Sequence, residues 1–189
     1  MINFLFWNIR GVSRAPNFRR LKYLVHHHSI QLVAICEPKI QAAKIHSIRM
    51  RLNMDHAVFN IEGDIWVFYN SSISCSLVGE SCQHLSLQIS SALFELPIIF
   101  SFVHAKCTAL ERVQLWNSLI VDKLKQSAWF IVGDINVIVS AEEKRGGMPF
   151  RPEEGWDFLD FMSQAGIFDV WYSGSSFTWC NNRHGRARI

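Results

Sequence analysis

The sequence has 189 residues, with 19 lysines and arginines against 16 aspartates and glutamates, and 49% of it is hydrophobic. This length is typical of one domain, and the apolar fraction suffices for a packed core, which excludes an intrinsically disordered protein. The formal charge of +3 is too small to indicate a strongly basic DNA clamp.

Short runs of β-branched and aromatic residues predict strands, and apolar residues at helical spacing predict helices. In chain order these are a strand at 2–7, a helix at 17–28, a strand at 31–36, a helix at 38–52, strands at 65–69 and 98–103, a helix at 109–126, a strand at 129–132 and a helix at 153–165. Gly166 is expected to end the last helix.

The segment between residues 54 and 103 contains no long helical pattern, but sheet-like pieces occur at 75–78, 85–89 and 93–96. Strands that follow one another without helices favour antiparallel pairing, whereas strands separated by helices favour parallel pairing. The sequence therefore predicts an α+β sandwich in a single domain over residues 1–189, rather than a doubly wound parallel sheet.

Five cysteines stand at positions 36, 75, 82, 107 and 180, and none of them forms a C-x-x-C pair. This spacing indicates neither a disulfide scaffold nor a zinc ribbon, so reduced thiols in an intracellular protein are expected. No apolar run reaches the ~18 residues of a membrane span, and the apolar start lacks the basic residues of a signal peptide. A nuclear location is compatible with this pattern but is not indicated by it.

Polar side chains follow three of the predicted strands. Asp134 and Asn136 come after a strand that stops at Gly133, Asn8 follows the first strand, and Glu37 follows the second. Taken singly, each is equally an ordinary strand exit, turn or exposed loop residue. If the strands are neighbours in a sheet, however, these groups meet at one edge, where they could hold a hard cation, a water or a phosphate oxygen.

The order of these motifs resembles the endonuclease/exonuclease/phosphatase superfamily, which includes DNase I-like nucleases and apurinic/apyrimidinic endonucleases. The similar segments are Trp-Asn-x-Arg-Gly from Trp7, the apolar strand before Glu37, and Gly-Asp-x-Asn from Gly133. Glu-Glu-Lys-Arg-Gly-Gly from Glu142 and Gly-Ser-Ser-Phe-Thr-Trp from Gly174 look most like endonuclease domains of plant LINE-type (non-LTR) retrotransposons.

The resemblance implies a four-layer α/β-sandwich, in which two packed mixed sheets are flanked by helices, and a Mg²⁺-dependent hydrolase that nicks DNA, with Mn²⁺ as a substitute. Carried over by position, Glu37 would bind the metal, with Asn8 beside it. Asp134 would orient or deprotonate the attacking water, and Asn136 would hold the scissile phosphate. DNA is the implied partner, and a reverse transcriptase domain would belong to the parent element. No membrane partner is implied.

Two positions depart from the family pattern within the site. His104 stands where family members commonly have a tyrosine, so it would donate a hydrogen bond to phosphate, although a core-facing or exposed histidine is equally consistent with the sequence. Arg10 stands where repair-type members have an aspartate. Arginine cannot bind Mg²⁺ but can bind phosphate.

Three further residues are candidates for DNA contacts. Lys144 and Arg145 follow the Asp134 strand and could contact the phosphate backbone or form a solvated loop, and Trp179 could contact DNA or fill the core.

The family also carries a late aspartate and a Ser-Asp-His triplet, and the triplet is absent from this sequence. This pattern predicts a domain that lacks its last strands and has little or no activity. The alternatives are a non-catalytic retroelement fragment and a phosphatase on the same scaffold.

Overall fold

The computed structural model describes residues 2–123, 127–175, 177 and 180. Its strands are β1 (Phe4–Asn8), β2 (Leu32–Cys36), β3 (His56–Phe59), β4 (Ile65–Tyr69), β5 (Ile73–Glu80), β6 (His84–Ser91), β7 (Ile98–His104) and β8 (Ala128–Asp134). Its α-helices are α1 (Ala15–His27), α2 (Ile45–Leu52), α3 (Ala109–Asp122) and α4 (Trp156–Ala165). Short 3-10 turns lie at Ala42–Lys44, Ala141–Glu143 and Pro152–Gly155.

The strands form two mixed sheets of four strands each, ordered β1-β2-β4-β3 and β5-β6-β7-β8. Each sheet ends in one parallel pair, β1 with β2 and β7 with β8, and its other pairs are antiparallel. Asn8 is paired with Cys36 in the first sheet, and His104 with Asp134 in the second. The carboxyl ends of each parallel pair are therefore level with each other.

The core has three layers of buried side chains. Helices α1 and α2 pack on the outer face of the first sheet, where Leu21, Ile48 and Trp66 belong to one buried cluster. The inner faces of the two sheets pack on each other through residues such as Val67 and Phe102. Helices α3 and α4 cover the outer face of the second sheet. This arrangement confirms the predicted four-layer sandwich of two mixed sheets and flanking helices.

Local sequence explains where the helices begin and end. Helix α1 has a proline in its first turn, where the missing N–H costs nothing. Thr108 caps α3 by accepting a hydrogen bond from the backbone N–H of Glu111, whose carboxylate accepts one from the threonine hydroxyl. Gly166 ends α4 in the left-handed conformation at φ 62°, as predicted.

Two of the predicted elements need correction, and one strand was missed. The strand β3 was not predicted, because it is short and both His56 and Phe59 at its ends are exposed. The piece at 93–96 is a turn rather than a strand, with the Leu93 and Leu96 side chains exposed. The helix predicted from residue 38 begins later, because the left-handed backbone of Lys39 at φ 54° cannot be helical.

The remaining predicted strands and helices are found within a few residues of their expected ends, although residues 124–126 of the predicted third helix lie outside the described part of the chain. In that described part, no helix is long and apolar enough to cross a membrane.

Candidate active site

Four polar side chains from both sheets meet at one edge of the sandwich. The amide nitrogen of Asn8, at the end of β1, donates a 3.1 Å hydrogen bond to Oε1 of Glu37 and a 2.7 Å bond to Oδ2 of Asp134. The Nε2 atom of His104, at the end of β7, lies 3.6 Å from Oε1 of Glu37. The structure thus brings Asn8, Glu37, His104 and Asp134 together, with the Asn8 amide joining the two sheets.

The carbonyl oxygen of the Asn8 side chain is buried and has no hydrogen-bond partner among the described residues. Its orientation is set by the amide nitrogen, because the opposite orientation would place this oxygen against two carboxylates. An unsatisfied buried acceptor costs on the order of 1–3 kcal/mol. This oxygen is therefore suited to a ligand that supplies positive charge or a proton donor.

The donor set fits a hard divalent cation in a minimal way. Glu37 and the Asn8 carbonyl supply oxygen ligands of the kind that Mg²⁺ prefers, and Mg²⁺ usually binds through one or two carboxylates and keeps several waters. Within the described ranges, no group of three or more histidine, cysteine, aspartate and glutamate side chains could hold a metal. The residues therefore suit a cation that completes its coordination with water or substrate oxygens, rather than a closed structural metal site.

Basic side chains surround the Glu37 carboxylate. The Lys39 ammonium lies 2.6 Å from Oε2, and Nε of Arg10 lies 3.8 Å from Oε1. Burial raises the pKa of Glu37, but the hydrogen bonds from Lys39 and Asn8 outweigh it and hold the pKa below its usual range. Glu37 is consequently a carboxylate at neutral pH, as a metal ligand must be. Lys39 was not singled out in the sequence.

The backbone around Glu37 is strained. Arg10, Glu37 and Lys39 all have positive φ angles, of 48°, 52° and 54°. Such conformations in residues other than glycine cost on the order of 1–3 kcal/mol each and persist only where the surroundings enforce them. The loops are held by bonds from the backbone N–H of Gly11 to the Glu37 carbonyl and from the N–H of Glu37 to the Asp64 carbonyl. Strain of this kind is characteristic of functional sites.

His104 is paired with Asp64, which was not singled out in the sequence. The Nδ1 atom of His104 makes a very short hydrogen bond with Oδ2 of Asp64. The hydrogen bond from His104 lowers the pKa of Asp64. Burial lowers the pKa of His104, but the bond to Asp64 and the charges of Asp64 and Glu37 raise it above its usual value. The pair fixes the imidazole ring and favours its protonated form.

Asp64 directly precedes β4, which runs antiparallel to β2. The start of β4 therefore lies beside the end of β2, where Glu37 follows. Identifying Asp64 in advance would have required this strand order, because Gly63 and Asp64 read in sequence as an ordinary turn.

The Gly-Asp-x-Asn segment holds its side chains through backbone contacts. A Cβ atom on Gly133 would lie 2.1 Å from the Val103 carbonyl oxygen, so only glycine permits this approach of β8 to β7. The backbone N–H of Asn136 lies 3.3 Å from Oδ1 of Asp134, and its side-chain amide donates a 2.6 Å bond to the Ala105 carbonyl. The Asn136 amide keeps a second N–H that can point to a ligand.

Lys144 and Arg145 have other surroundings than the site residues. The Arg145 guanidinium lies 5.2 Å from the centre of the Phe177 ring, and Lys144 follows the 3-10 turn at Ala141–Glu143. Within the described ranges, neither bonds to the site residues Asn8, Glu37, His104, Asp134 and Asn136. Trp179 lies outside the described residues.

The sequence matches no family model and no curated protein. Among solved structures, it is similar to an AP endonuclease from Archaeoglobus fulgidus (TM-score 0.58, 12% identity, 87% of this chain and 70% of that one). It is also similar to an endonuclease/exonuclease/phosphatase family protein from Bacteroides thetaiotaomicron (TM-score 0.58, 11% identity, 86% of this chain and 68% of that one). A third similar structure is D. rerio TDP2 complexed with single-strand DNA product (TM-score 0.55, 12% identity, 89% of this chain and 66% of that one).

These similarities establish the fold. Because the sequence identities are only 11% to 12%, they establish nothing beyond it. The chain spans about two thirds of the length of each of these three proteins. The α+β sandwich expected from the sequence is confirmed.

Proposed function

We propose that this chain is a metal-dependent phosphodiesterase domain of the endonuclease/exonuclease/phosphatase superfamily that acts on DNA. The observation that supports it most directly is the Asn8 side chain, whose amide joins the carboxylates of Glu37 and Asp134 while its buried carbonyl oxygen lacks a partner. The order of the sequence motifs and the shared fold point to the same chemistry.

Glu37 and the Asn8 carbonyl oxygen would hold Mg²⁺, or Mn²⁺ in its place. When bound, the cation would neutralise negative charge that develops on the scissile phosphate. Asp134 would accept a proton from the attacking water, because its carboxylate oxygens keep free lone pairs beside the bonds from Asn8 and Asn136.

The remaining side chains would bind phosphate. The second N–H of the Asn136 amide and the imidazolium of His104 would donate to phosphate oxygens, and Asp64 would keep the His104 ring in place. Arg10, whose side chain is half exposed beside Glu37, would attract the DNA backbone. Lys144 and Arg145 would contact more distant phosphates.

We further propose that the chain is of retroelement type and has low turnover. The segments that begin at Glu142 and Gly174 support the first proposal. The second follows from the lack of a Ser-Asp-His triplet in the 189 residues. Loss of one preorganised donor to the reacting oxygens typically costs about 10²–10³ in rate. A retroelement-derived chain without catalysis is the alternative, and it predicts no turnover that depends on these side chains.

The test is nicking of supercoiled plasmid by the purified chain, with Mg²⁺ or with EDTA. We expect slow relaxation that requires Mg²⁺ and disappears in Asp134→Ala and in Asn136→Ala. Asp160→Asn is the matched control, because Asp160 is exposed on α4 and bonds to Gln164.

Each outcome of this assay favours one function. Relaxation that is unchanged by Asp134→Ala and Asn136→Ala would show that the site is misplaced. No relaxation above the EDTA background would favour the non-catalytic alternative. Release of phosphate from a small phosphomonoester with intact plasmid would favour a phosphatase.

A further inference from the structure

Arg112 on α3 is a buried charged residue that the proposed chemistry does not use. Its side chain is 4% exposed, and its Nε and Nη2 atoms each donate a 3.0 Å bond to the carboxylate of Asp157 on α4. Such a paired, planar contact with a carboxylate is among the strongest that arginine makes. This contact joins α3 to α4 on the outer face of the second sheet.

The same guanidinium also reaches both loops that leave the site. Its Nη1 atom donates a 2.8 Å bond to the carbonyl of Cys107, in the loop after β7, and lies 3.3 Å from the carbonyl of Asn136, in the loop after β8. Its Nη2 atom lies 3.3 Å from the carbonyl of Glu154. One side chain thus connects the loop after His104, the loop after Asp134 and the start of α4.

The conformation of Asn136 depends on contacts from neighbouring loops, such as those that Arg112 makes. Its backbone is in the left-handed region at φ 51°, and it is exposed, so core packing alone does not hold it. Its side chain bonds to the Ala105 carbonyl, and Ala105 lies two residues before Cys107. The Arg112 bonds to Cys107 and Asn136 therefore hold both the residue and the loop that carries its partner.

We propose that Arg112 is a positioning residue that sets the orientation of the Asn136 amide toward the scissile phosphate. This inference rests on the proposed function for the role of Asn136, but the orientation itself is a property of the folded chain. The competing interpretation is that Arg112 only fastens α3 to α4 through Asp157.

Substitutions can separate these two roles. In Asp157→Asn the ion pair between the helices is lost, and the asparagine oxygen still accepts from the guanidinium. We expect this variant to be destabilised by the buried Arg112 charge but to keep the Arg112 bonds to the Cys107 and Asn136 carbonyls. In the double variant Arg112→Met with Asp157→Asn both buried charges are removed, so no unpaired charge is left in the core. Replacement of a buried ion pair by uncharged residues is often tolerated. The asparagine also retains an acceptor for the indole N–H of Trp116, which bonds to Asp157 at 2.8 Å.

The primary measurement is the ¹H–¹⁵N NMR signal of the Asn136 side-chain amide, recorded on the full 189-residue chain. We expect this signal to keep its position in Asp157→Asn and to move or broaden in the double variant. Far-UV circular dichroism and thermal melts of both variants test whether the fold is retained. If neither variant moves the signal, or if both move it equally, Arg112 does not position Asn136 independently of the helix contact.

A second measurement links the orientation to turnover in the plasmid assay. The double variant should lower kcat about 10-fold or more relative to Asp157→Asn, because displacement of a reacting group by ~1 Å can cost 10²-fold. Equal kcat values for the double variant and for Asp157→Asn would overturn the role of Arg112 in turnover.

The NMR result remains decisive if the unsubstituted chain proves inactive. In that case the proposed function fails, whereas a selective shift of the Asn136 signal in the double variant still supports the positioning role. If the chain is active but the Asn136 signal is unchanged in the double variant, the proposed function stands and the positioning role of Arg112 fails.

Discussion

Asn8 is the residue on which the site depends most, because one amide serves two carboxylates from different sheets. In Asn8→Asp a third carboxylate replaces the donor, so like charges meet at this edge and both hydrogen bonds are lost. We expect a lower Tm in EDTA than for the unsubstituted chain, corresponding to about 1–3 kcal/mol for buried groups left unsatisfied.

Mg²⁺ should reverse much of this loss, because a cation stabilises the state that binds it. Thermal melts with and without Mg²⁺ measure both effects. Asn117→Asp, at an exposed position on α3, is the matched control and should respond little to either condition. A melting temperature of Asn8→Asp equal to that of the control in EDTA would contradict the bridging role.

Gly133 controls the position of Asp134. Because an added Cβ would lie 2.1 Å from a backbone oxygen of β7, Gly133→Ala must push the two strands apart. We expect a destabilisation of about 1–3 kcal/mol, the usual cost of overpacking, measured by urea denaturation. Ala128→Ser, at the exposed start of β8, is the control. Unchanged stability in Gly133→Ala would show that the strands can separate there without cost.

At the scale of elements, the contact between α3 and α4 should make stability depend on pH. Burial raises the pKa of Asp157, but the hydrogen bonds from Arg112 and Trp116 outweigh it and lower the pKa in the folded chain. A carboxyl group with a lowered pKa stabilises the fold above its unfolded pKa, about 3.9 for aspartate, and this contribution is lost as the pH falls through the folded value.

The free energy of unfolding of the unsubstituted chain should exceed that of Asp157→Asn by a constant amount from pH 7 to about pH 5, and this difference should shrink below about pH 4. Urea denaturation at a series of pH values gives this difference. Asp160→Asn, on the same helix but exposed, should show a much weaker trend. A difference that grows on acidification would have the wrong sign for this ion pair.

The elements also show what sequence patterns can and cannot predict. Apolar strands such as β2, buried on both faces, stand out in the sequence, and the polar residues at their ends could be singled out because strands end in identifiable turns. Asp64 could not, because its place beside His104 depends on β4 running antiparallel to β2. The role of Arg112 was equally hidden, because its partners lie 5 to 45 residues away.

At the scale of the whole molecule, the four end strands β1, β3, β5 and β8 of the described sheets each have a strand partner on one side only, and β1 and β8 are the two that belong to parallel pairs. Their side chains are largely half-buried, and exposed aromatic residues such as Trp171, which is 100% exposed, follow later in the chain. Open edges of this kind favour pairing with another chain. We expect self-association that increases with concentration in sedimentation-velocity experiments.

Trp171→Gln separates the two sources of association. Association that persists in this variant would come from the strand edges, and association that disappears would come from the exposed aromatic segment. A monomer at all concentrations, with a sharp and reversible melt, would contradict the importance of the open edges.

Mn²⁺ binding tests, without any need for turnover, whether Asn8 and Glu37 form the proposed divalent-cation site where the two sheets meet. Titration of the chain with Mn²⁺, followed by the electron paramagnetic resonance signal of the free ion, gives the affinity directly. Glu37→Gln should weaken binding by at least about tenfold, since even substitution of a residue that only supports a metal ligand typically costs about 10–100-fold in affinity. The exposed control Glu153→Gln should leave the affinity unchanged. Equal affinities for Glu37→Gln and the unsubstituted chain would show that the cation does not bind at Glu37.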